Sequence, residues 1–289
     1  MRAETTRRQR QRRLLVIRRV PMYALLCLVS LAFIGPILWM LSGSLKSTNE
    51  ILRYPPTIVP EHVQWSNYLL VFQNQPYLLQ FLNSVAVMAG VCAITLVLSV
   101  PAGYALSKVR PRGGSAIFLL LLSGIFIPPE ATIVPLYRMA DALGWLDSLT
   151  PVIVFTAVLT TAPIATFLMR QAFLVLPTEF QEAATLDGSG RLRTMLQVYL
   201  PLTRPSIAAA VVLSCWYSWN QFLEPLVYLR SQEHLTVSVA LTRYLDYNGE
   251  PTWGIQMAAT TLSLLPVLLV FVFAQRHVVA GLTAGGLKS

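Results

Sequence analysis

The chain has 289 residues, of which 55% are hydrophobic and only 12% charged, where soluble domains carry roughly 25% charged residues. That balance excludes an ordinary soluble enzyme or binding module and makes the bilayer the organising solvent. The net charge of +9 would suit a nucleic-acid partner, but its position argues for a membrane flank and for no nucleic acid.

Residues 1–19, MRAETTRRQRQRRLLVIRR, hold eight Arg immediately before a long apolar run. Positive charge there keeps a segment's flank in the cytoplasm. The run is too long for a signal peptide and no A-x-A-like site follows it closely, so it reads as an uncleaved first span behind a basic cytoplasmic arm. A spanning helix needs about 20 mostly apolar residues. Six segments qualify, at about 20–41, 84–106, 116–136, 149–169, 205–228 and 257–279, within a membrane domain of residues 20–280. Residues 281–289 form a cytoplasmic tail. The expected fold is therefore an all-α polytopic membrane protein with six transmembrane helices. Pro128, Pro129 and Glu130 predict a break near the far end of the third span. Trp219, Asn220 and Glu224 make the outer part of the fifth its weakest portion.

With the N-terminus inside, 17 of the 22 Lys and Arg fall on the inner side. This is the positive-inside pattern, and it puts both termini in the cytoplasm of a multi-pass protein. Between spans one and two, RYPPTIVPEHVQWSNY contains Pro55, Pro56 and Pro60, which disfavour a continuous helix. Between spans five and six, residues 229–254 mix polar and apolar positions and are expected to fold against the membrane domain or a partner. His234 reads as a solvated side chain there. Cys27, Cys92 and Cys215 lie in apolar runs, without metal-ligand spacing, and read as small buried hydrophobes.

The inner segment 177–204 stands apart. Thr178 to Gln181, TEFQ, fits a capping box that can start a helix after Pro177. Phe180, Ala183 and Ala184 share one face, so another surface can approach closely. Asp187-Gly188 is a helix stop, because Gly188 adopts the left-handed conformation readily. Ser189 can cap a second helix whose stripe is Leu192, Met195, Leu196 and Tyr199. Pro201 is expected to end it and Pro205 to open the next span. By periodicity alone, this pair of helices suits an interfacial hairpin joining two spans as well as a part that transmits motion.

The residues are more specific than their periodicity. Glu182, Ala183, Ala184, Gly188, Val198, Leu200 and Pro201 resemble, at fixed spacing, the EAA loop of binding-protein-dependent ABC importers, with Val198 where that family usually has Ile. LSGSLKSTNEI at 41–51, FLNSVAV at 81–87, PAGYALSKVR at 101–110, IPPEATIVPLY at 127–137, SWNQFLEPL at 218–226 and QRHVVAGLTAGGLKS at 275–289 resemble carbohydrate-type permeases. The likeness is to the shorter six-span partner of a maltose-like pair. The tail, Gly285 to Ser289, departs slightly from the family's G-A-V-K-G.

The resemblance implies a permease subunit of an ATP-binding cassette importer in a prokaryotic inner membrane, and no enzyme activity in this chain. It implies a second homologous permease subunit, two ATP-binding subunits and an extracytoplasmic solute-binding protein as partners, with the lipid bilayer around them. Phe180, Glu182, Ala183, Ala184, Asp187, Gly188, Leu200 and Pro201 would form the ATPase-coupling loop. ATP and Mg would sit on the partner subunits. Consistently, GLTAGGLKS at 281–289 fails as a phosphate loop, because Leu287 intrudes between Gly286 and Lys288. The cargo by resemblance is a sugar, with a polyamine or polyol phosphate as the alternative. An ion-coupled carrier is the rival class, although Glu130 and Glu224 are the only carboxylates near a span. A sugar path should pair hydrogen-bonding side chains with aromatic rings. Asn83, Trp216, Tyr217, Trp219, Asn220 and Gln221 offer that chemistry, and equally suit helix pinning and interfacial anchoring. No metal-ligand set or catalytic constellation is evident in the spans.

Overall fold

The computed structural model describes the backbone of residues 2–286 and the side chains of residues 21–270 and 272. Helices dominate, in the order α1 Arg2–Gly43, α2 Thr48–Leu52, α3 Ser66–Asn74, α4 Tyr77–Tyr104, α5 Gly114–Ser123, α6 Pro129–Ala142, α7 Leu149–Phe155, α8 Ala162–Val175, α9 Glu179–Leu186, α10 Arg191–Thr194, α11 Leu200–Leu202, α12 Arg204–Asn220, α13 Leu223–Tyr228, α14 Val237–Ala240 and α15 Trp253–Gly286. Among the described residues, four continuous helices are long and apolar enough to cross a bilayer, at Pro21–Gly43, Tyr77–Val109, Leu149–Val175 and Trp253–Val270. Two further pairs qualify if each bent pair counts once. The pair 114–126 and 129–142 bends by 100°, and the pair 191–202 and 204–220 by 83°. The first break falls at Ile127 and Pro128, whose extended backbone (ψ 114° and 136°) precedes Pro129, as a proline requires of its predecessor. The fifth apolar segment is not continuous to residue 228. α12 stops at Asn220, Gln221 turns extended, and α13 restarts at Leu223.

Three segments widen to π geometry, at Ala105–Val109, Thr156–Thr161 and Met195–Tyr199. All three end two residues before a proline, Pro111, Pro163 and Pro201. A proline cannot donate to the carbonyl four residues back and its ring crowds that carbonyl. The wider turn re-pairs the preceding amides one residue further back, as in Ala162 N–H to Ala157 O and Leu200 N–H to Met195 O. The helix thereby runs through Pro163 and Pro201, whereas before Pro111 it ends at left-handed Arg110 (φ 51°). Pro201 accordingly does not end its helix; the chain turns at Thr203 (φ −100°, ψ 13°), where α11 gives way to α12.

The chain forms two compact units, one of residues up to 71 with 246–261, the other of 72–245 with the residues from 262. In the first, Asn67 donates to the carbonyls of Ser44 and Lys46, both at 2.9 Å. Lys46 is itself buried, donating to Thr57 O and lying 5.2 Å over the Trp39 ring.

In the second unit α4 is the central helix. Its small residues admit close neighbours: a Cβ on Gly90 would lie 2.9 Å from Ile153, and one on Gly103 would lie 2.7 Å from Met169 Cβ and 2.9 Å from Arg170 N. Such contacts are how helices associate without a hydrophobic driving force between them. Thr95 and Thr161 add a buried hydroxyl pair at 2.5 Å. Residues 229–240 fold back onto α4. Asn83 donates to Glu233 O (2.7 Å) and Leu235 O (3.1 Å), Gln80 to Gln232 O (3.1 Å), and Ser84 accepts from Val237 N–H (2.8 Å). Asp147 locks the same loop, accepting from the N–H groups of Arg230 and Ser231 at 2.8 Å and from the Ser231 hydroxyl. His234 Nδ1 lies 3.3 Å from Asp147 Oδ1, so His234 belongs to this lock and is not merely a solvated side chain.

Candidate functional site

The segment 177–204 folds as two short helices around a sharp turn. Thr178 precedes α9, but its backbone is helical (φ −74°, ψ −22°) and its side chain makes no capping bond. The expected capping box is therefore not formed; Thr178 O instead accepts from Gln181 and Glu182 N–H. The far end of α9 follows expectation. Gly188 is left-handed at φ 72°, Gly188 N–H bonds Thr185 O at 3.0 Å, and Ser189 N–H bonds Ala184 O at 2.9 Å. Those two bonds define a Schellman stop, which satisfies carbonyls the helix end leaves free. Ser189 does not cap the next helix. Gly190 occupies that position, and Ser189 Oγ accepts from Thr194 Oγ1 at 3.2 Å.

Ala184 is buried at 7% exposure whereas Ala183, Glu182 and Phe180 are exposed. The face shared by Phe180, Ala183 and Ala184 is thus divided: Ala184 packs inward, and the outward surface is Glu179, Phe180, Glu182, Ala183, Leu186 and Asp187. Leu186, 90% exposed, is the most prominent apolar group of that surface. Sequence reasoning passed over it because it falls outside the i, i+3, i+4 set begun at Phe180.

The second helix is also re-phased. Met195 and Tyr199 are buried while Leu192 and Leu196 are exposed. The expected four-residue stripe assumed 3.6 residues per turn, and the wider π segment 195–199 turns the helix less per residue.

Tyr199 anchors this hairpin. It is fully buried, its ring centroid lies 5.5 Å from Tyr104 and 6.1 Å from Phe173, and its hydroxyl reaches Pro177 O at 3.4 Å. Lys108 completes the anchor, with Nζ 5.2 Å over the Tyr199 ring and 2.6 Å from Leu176 O. Met195, Tyr199, Val100, Tyr104, Met169 and Phe173 form one apolar cluster. The hairpin is therefore built onto α4 and α8. Tyr104 and Lys108 lie in PAGYALSKVR, a stretch whose likeness to permeases was legible but whose role was not. An open groove of about 620 Å³ runs between that stretch and α9, lined by Lys108, Arg110, Thr178, Gln181, Glu182 and Leu186.

Of the six path candidates, four hold the fold. Asn83 pins the 233–235 backbone, and Trp219 is buried edge-on to Phe81 at 5.7 Å. Asn220 donates to Trp216 O of its own helix at 2.8 Å. Gln221 is buried and donates to Thr156 Oγ1 at 2.6 Å. Trp216 and Tyr217 instead line small, chiefly apolar cavities along α12. An aromatic and amide pattern does not by itself say whether it faces a path or another helix.

Helices long and apolar enough to cross a bilayer, with a hairpin built onto them, define an all-helical polytopic membrane protein. The chain belongs to the family described as binding-protein-dependent transport system inner membrane component, whose model matches residues 14–284. It is 32% identical over 273 residues to the arabinooligosaccharides transport system permease protein AraQ of Bacillus subtilis (strain 168), covering 93% of this chain and 96% of the relative. It is 32% identical over 264 residues to the diacetylchitobiose uptake system permease protein NgcG of Streptomyces coelicolor, covering 91% and 87%. To the lactose transport system permease protein LacG of Rhizobium radiobacter it is 31% identical over 268 residues, covering 92% and 96%. In fold it resembles a chain from the crystal structure of a bacterial ABC transporter that imports the acidic polysaccharide alginate, with a TM-score of 0.79 at 23% identity, covering 91% of this chain and 96% of that one.

Proposed function

We propose that this permease carries a sugar or oligosaccharide across the inner membrane, and that the hairpin at 179–201 is where separate ATP-binding subunits act on it. The observation that carries the reading is the hairpin's construction: a helix stopped by left-handed Gly188, fastened through buried Tyr199, and presenting Phe180, Glu182, Ala183 and Leu186 outward. A rigidly mounted lever of that kind transmits displacement, whereas a tether would absorb it. Nucleotide binding can shift a permease between inward and outward states only if the docking contact differs between them.

Exposed Glu182 offers a carboxylate to a basic group, Phe180 and Leu186 offer apolar anchors, and Ala183 allows close approach. Ala184, Leu200 and Pro201 act from behind, in packing and helix continuity. Six spans, counting each bent pair as one, with both termini in the cytoplasm, suit the positive-inside pattern. A second homologous permease, two ATPases carrying ATP and Mg, and an extracytoplasmic solute-binding protein complete the assembly. The sugar assignment is supported by relatives named for arabino-oligosaccharides, diacetylchitobiose and lactose.

Uptake of these three sugars into proteoliposomes holding the whole complex tests the reading. Transport of at least one sugar should require internal ATP and the binding protein, and should persist when an ionophore collapses ion gradients. Uptake that survives without ATP and stops with the ionophore would refute the proposal.

A further inference from the structure

The second unit contains a cavity of about 120 Å³ bounded by α6, the π segment that follows α7, and α13. Roughly 10–15 Å³ of such space admits one water, so this cavity takes a group of about ten heavy atoms, the scale of one sugar ring. Its polar wall is Thr132, Thr156, Thr160, Glu224 and Tyr228, and its apolar wall includes Leu136 and Phe155. Glu224 and Tyr228 stand four residues apart on α13 and so share a face.

Two observations set this cavity apart from an ordinary packing gap. Tyr228 is fully buried, yet no described group pairs with its hydroxyl. Such a group costs stability unless something entering the cavity bonds it. The facing helix is also in π geometry where Thr156 and Thr160 project, and π turns inside α-helices recur at functional sites. Thr156 Oγ1 accepts from Gln221 Nε2 at 2.6 Å, which leaves its own proton to donate.

We propose that this cavity is a binding subsite for one ring of a neutral polyhydroxylated solute. The Glu224 carboxylate accepts from neighbouring solute hydroxyls, Tyr228 and Thr156 donate to solute oxygens, and Phe155 covers an apolar ring face. A cationic amine suits the cavity less, because it would satisfy the carboxylate and leave the hydroxyl donors unmatched. The inference rests on the sugar-permease reading and adds to it the residues in this subunit that contact the cargo.

The test uses the complete complex in proteoliposomes, with lactose, diacetylchitobiose and arabinotriose as probes and spermidine as the amine probe. In a chain whose Cys27, Cys92 and Cys215 are replaced by Ala, Thr132→Cys gives a thiol in the cavity wall. The transported sugar should slow its modification by a small methanethiosulfonate at least about fivefold, and spermidine should not. Glu224→Gln and Tyr228→Phe should each cut uptake at limiting sugar about tenfold. Tyr228→Phe should leave thermal stability equal or higher, which loss of a structural tyrosine would not. If Glu224→Gln fails to assemble, the near-isosteric Tyr228→Phe carries the same expectation. Normal sugar uptake by both variants, with labelling indifferent to sugar, overturns this inference while sparing the permease reading. Protection by spermidine alone overturns the polyhydroxylated assignment. Failure of the unmodified complex to transport any of the sugars overturns the reading beneath it, and the subsite with it.

Discussion

Gly188 is the most informative single position in the hairpin. Its φ of 72° lies in the left-handed region, and a Cβ added there meets no atom within 4 Å. A substitution is therefore penalised by backbone conformation alone, with no confounding clash. Alanine in that conformation costs about 1–2 kcal/mol, a factor of roughly 5–30 in the balance between the ordered turn and its alternatives. Asparagine, which tolerates the left-handed region, should cost much less. Proline cannot adopt a positive φ, and it also removes the 3.0 Å bond from Gly188 N–H to Thr185 O. Sugar-stimulated ATP hydrolysis and uptake by the reconstituted complex should fall in the order Gly, Asn, Ala, Pro, with membrane insertion and yield unchanged. Full transport by Gly188→Pro, or an Ala variant better than Asn, would refute the claim that the turn geometry matters.

Three further outcomes follow from the packing. Tyr199→Ala removes a fully buried ring from between Tyr104 and Phe173 and should destabilise by about 3–5 kcal/mol; Tyr199→Phe, losing only a 3.4 Å bond, should be near wild type in thermal unfolding and coupling. Gly103→Ala would place a Cβ 2.9 Å from the Arg170 backbone nitrogen, so α4 and α8 must part at a cost of about 1–3 kcal/mol, read as a lower melting temperature in detergent. The Ser231 hydroxyl and amide, with the Arg230 amide, hold the Asp147 carboxyl well below the usual carboxylate range. Because that value is depressed on folding, its stabilisation is full above the unfolded value near pH 4 and lost as pH falls through the folded one. Asp147→Asn should cost about 1 kcal/mol at pH 7, and its difference from wild type should shrink under acid.

Much of the fold was legible because apolar run length and proline chemistry are local. The break at Pro128-Pro129 and the stop at Gly188 both follow from backbone rules that need no tertiary knowledge. The re-phased face of 192–199 was not legible, because a π turn answers a proline two residues on and alters the period on which stripe reading depends. Ala184 faces inward and Leu186 outward for a related reason: which side of a short helix is buried is set by segments outside it. The path candidates were chosen for aromatic and amide character, and Asn83, Trp219 and Gln221 spend that character on holding α4, the 229–240 loop and the α7 extension. Glu224 and Tyr228 were harder to single out, since only folding sets α13 against the Thr156 π turn.

The central claim is that an ATP-binding subunit docks on the outward face of α9. A benzophenone on Ala183→Cys, in the complete complex with Cys27, Cys92 and Cys215 replaced, tests it most directly. Irradiation should join this chain to the ATP-binding subunit, with a yield that changes when a non-hydrolysable nucleotide is added. Adducts confined to lipid or to this chain, in a complex that contains the ATPase and hydrolyses ATP, would contradict the account.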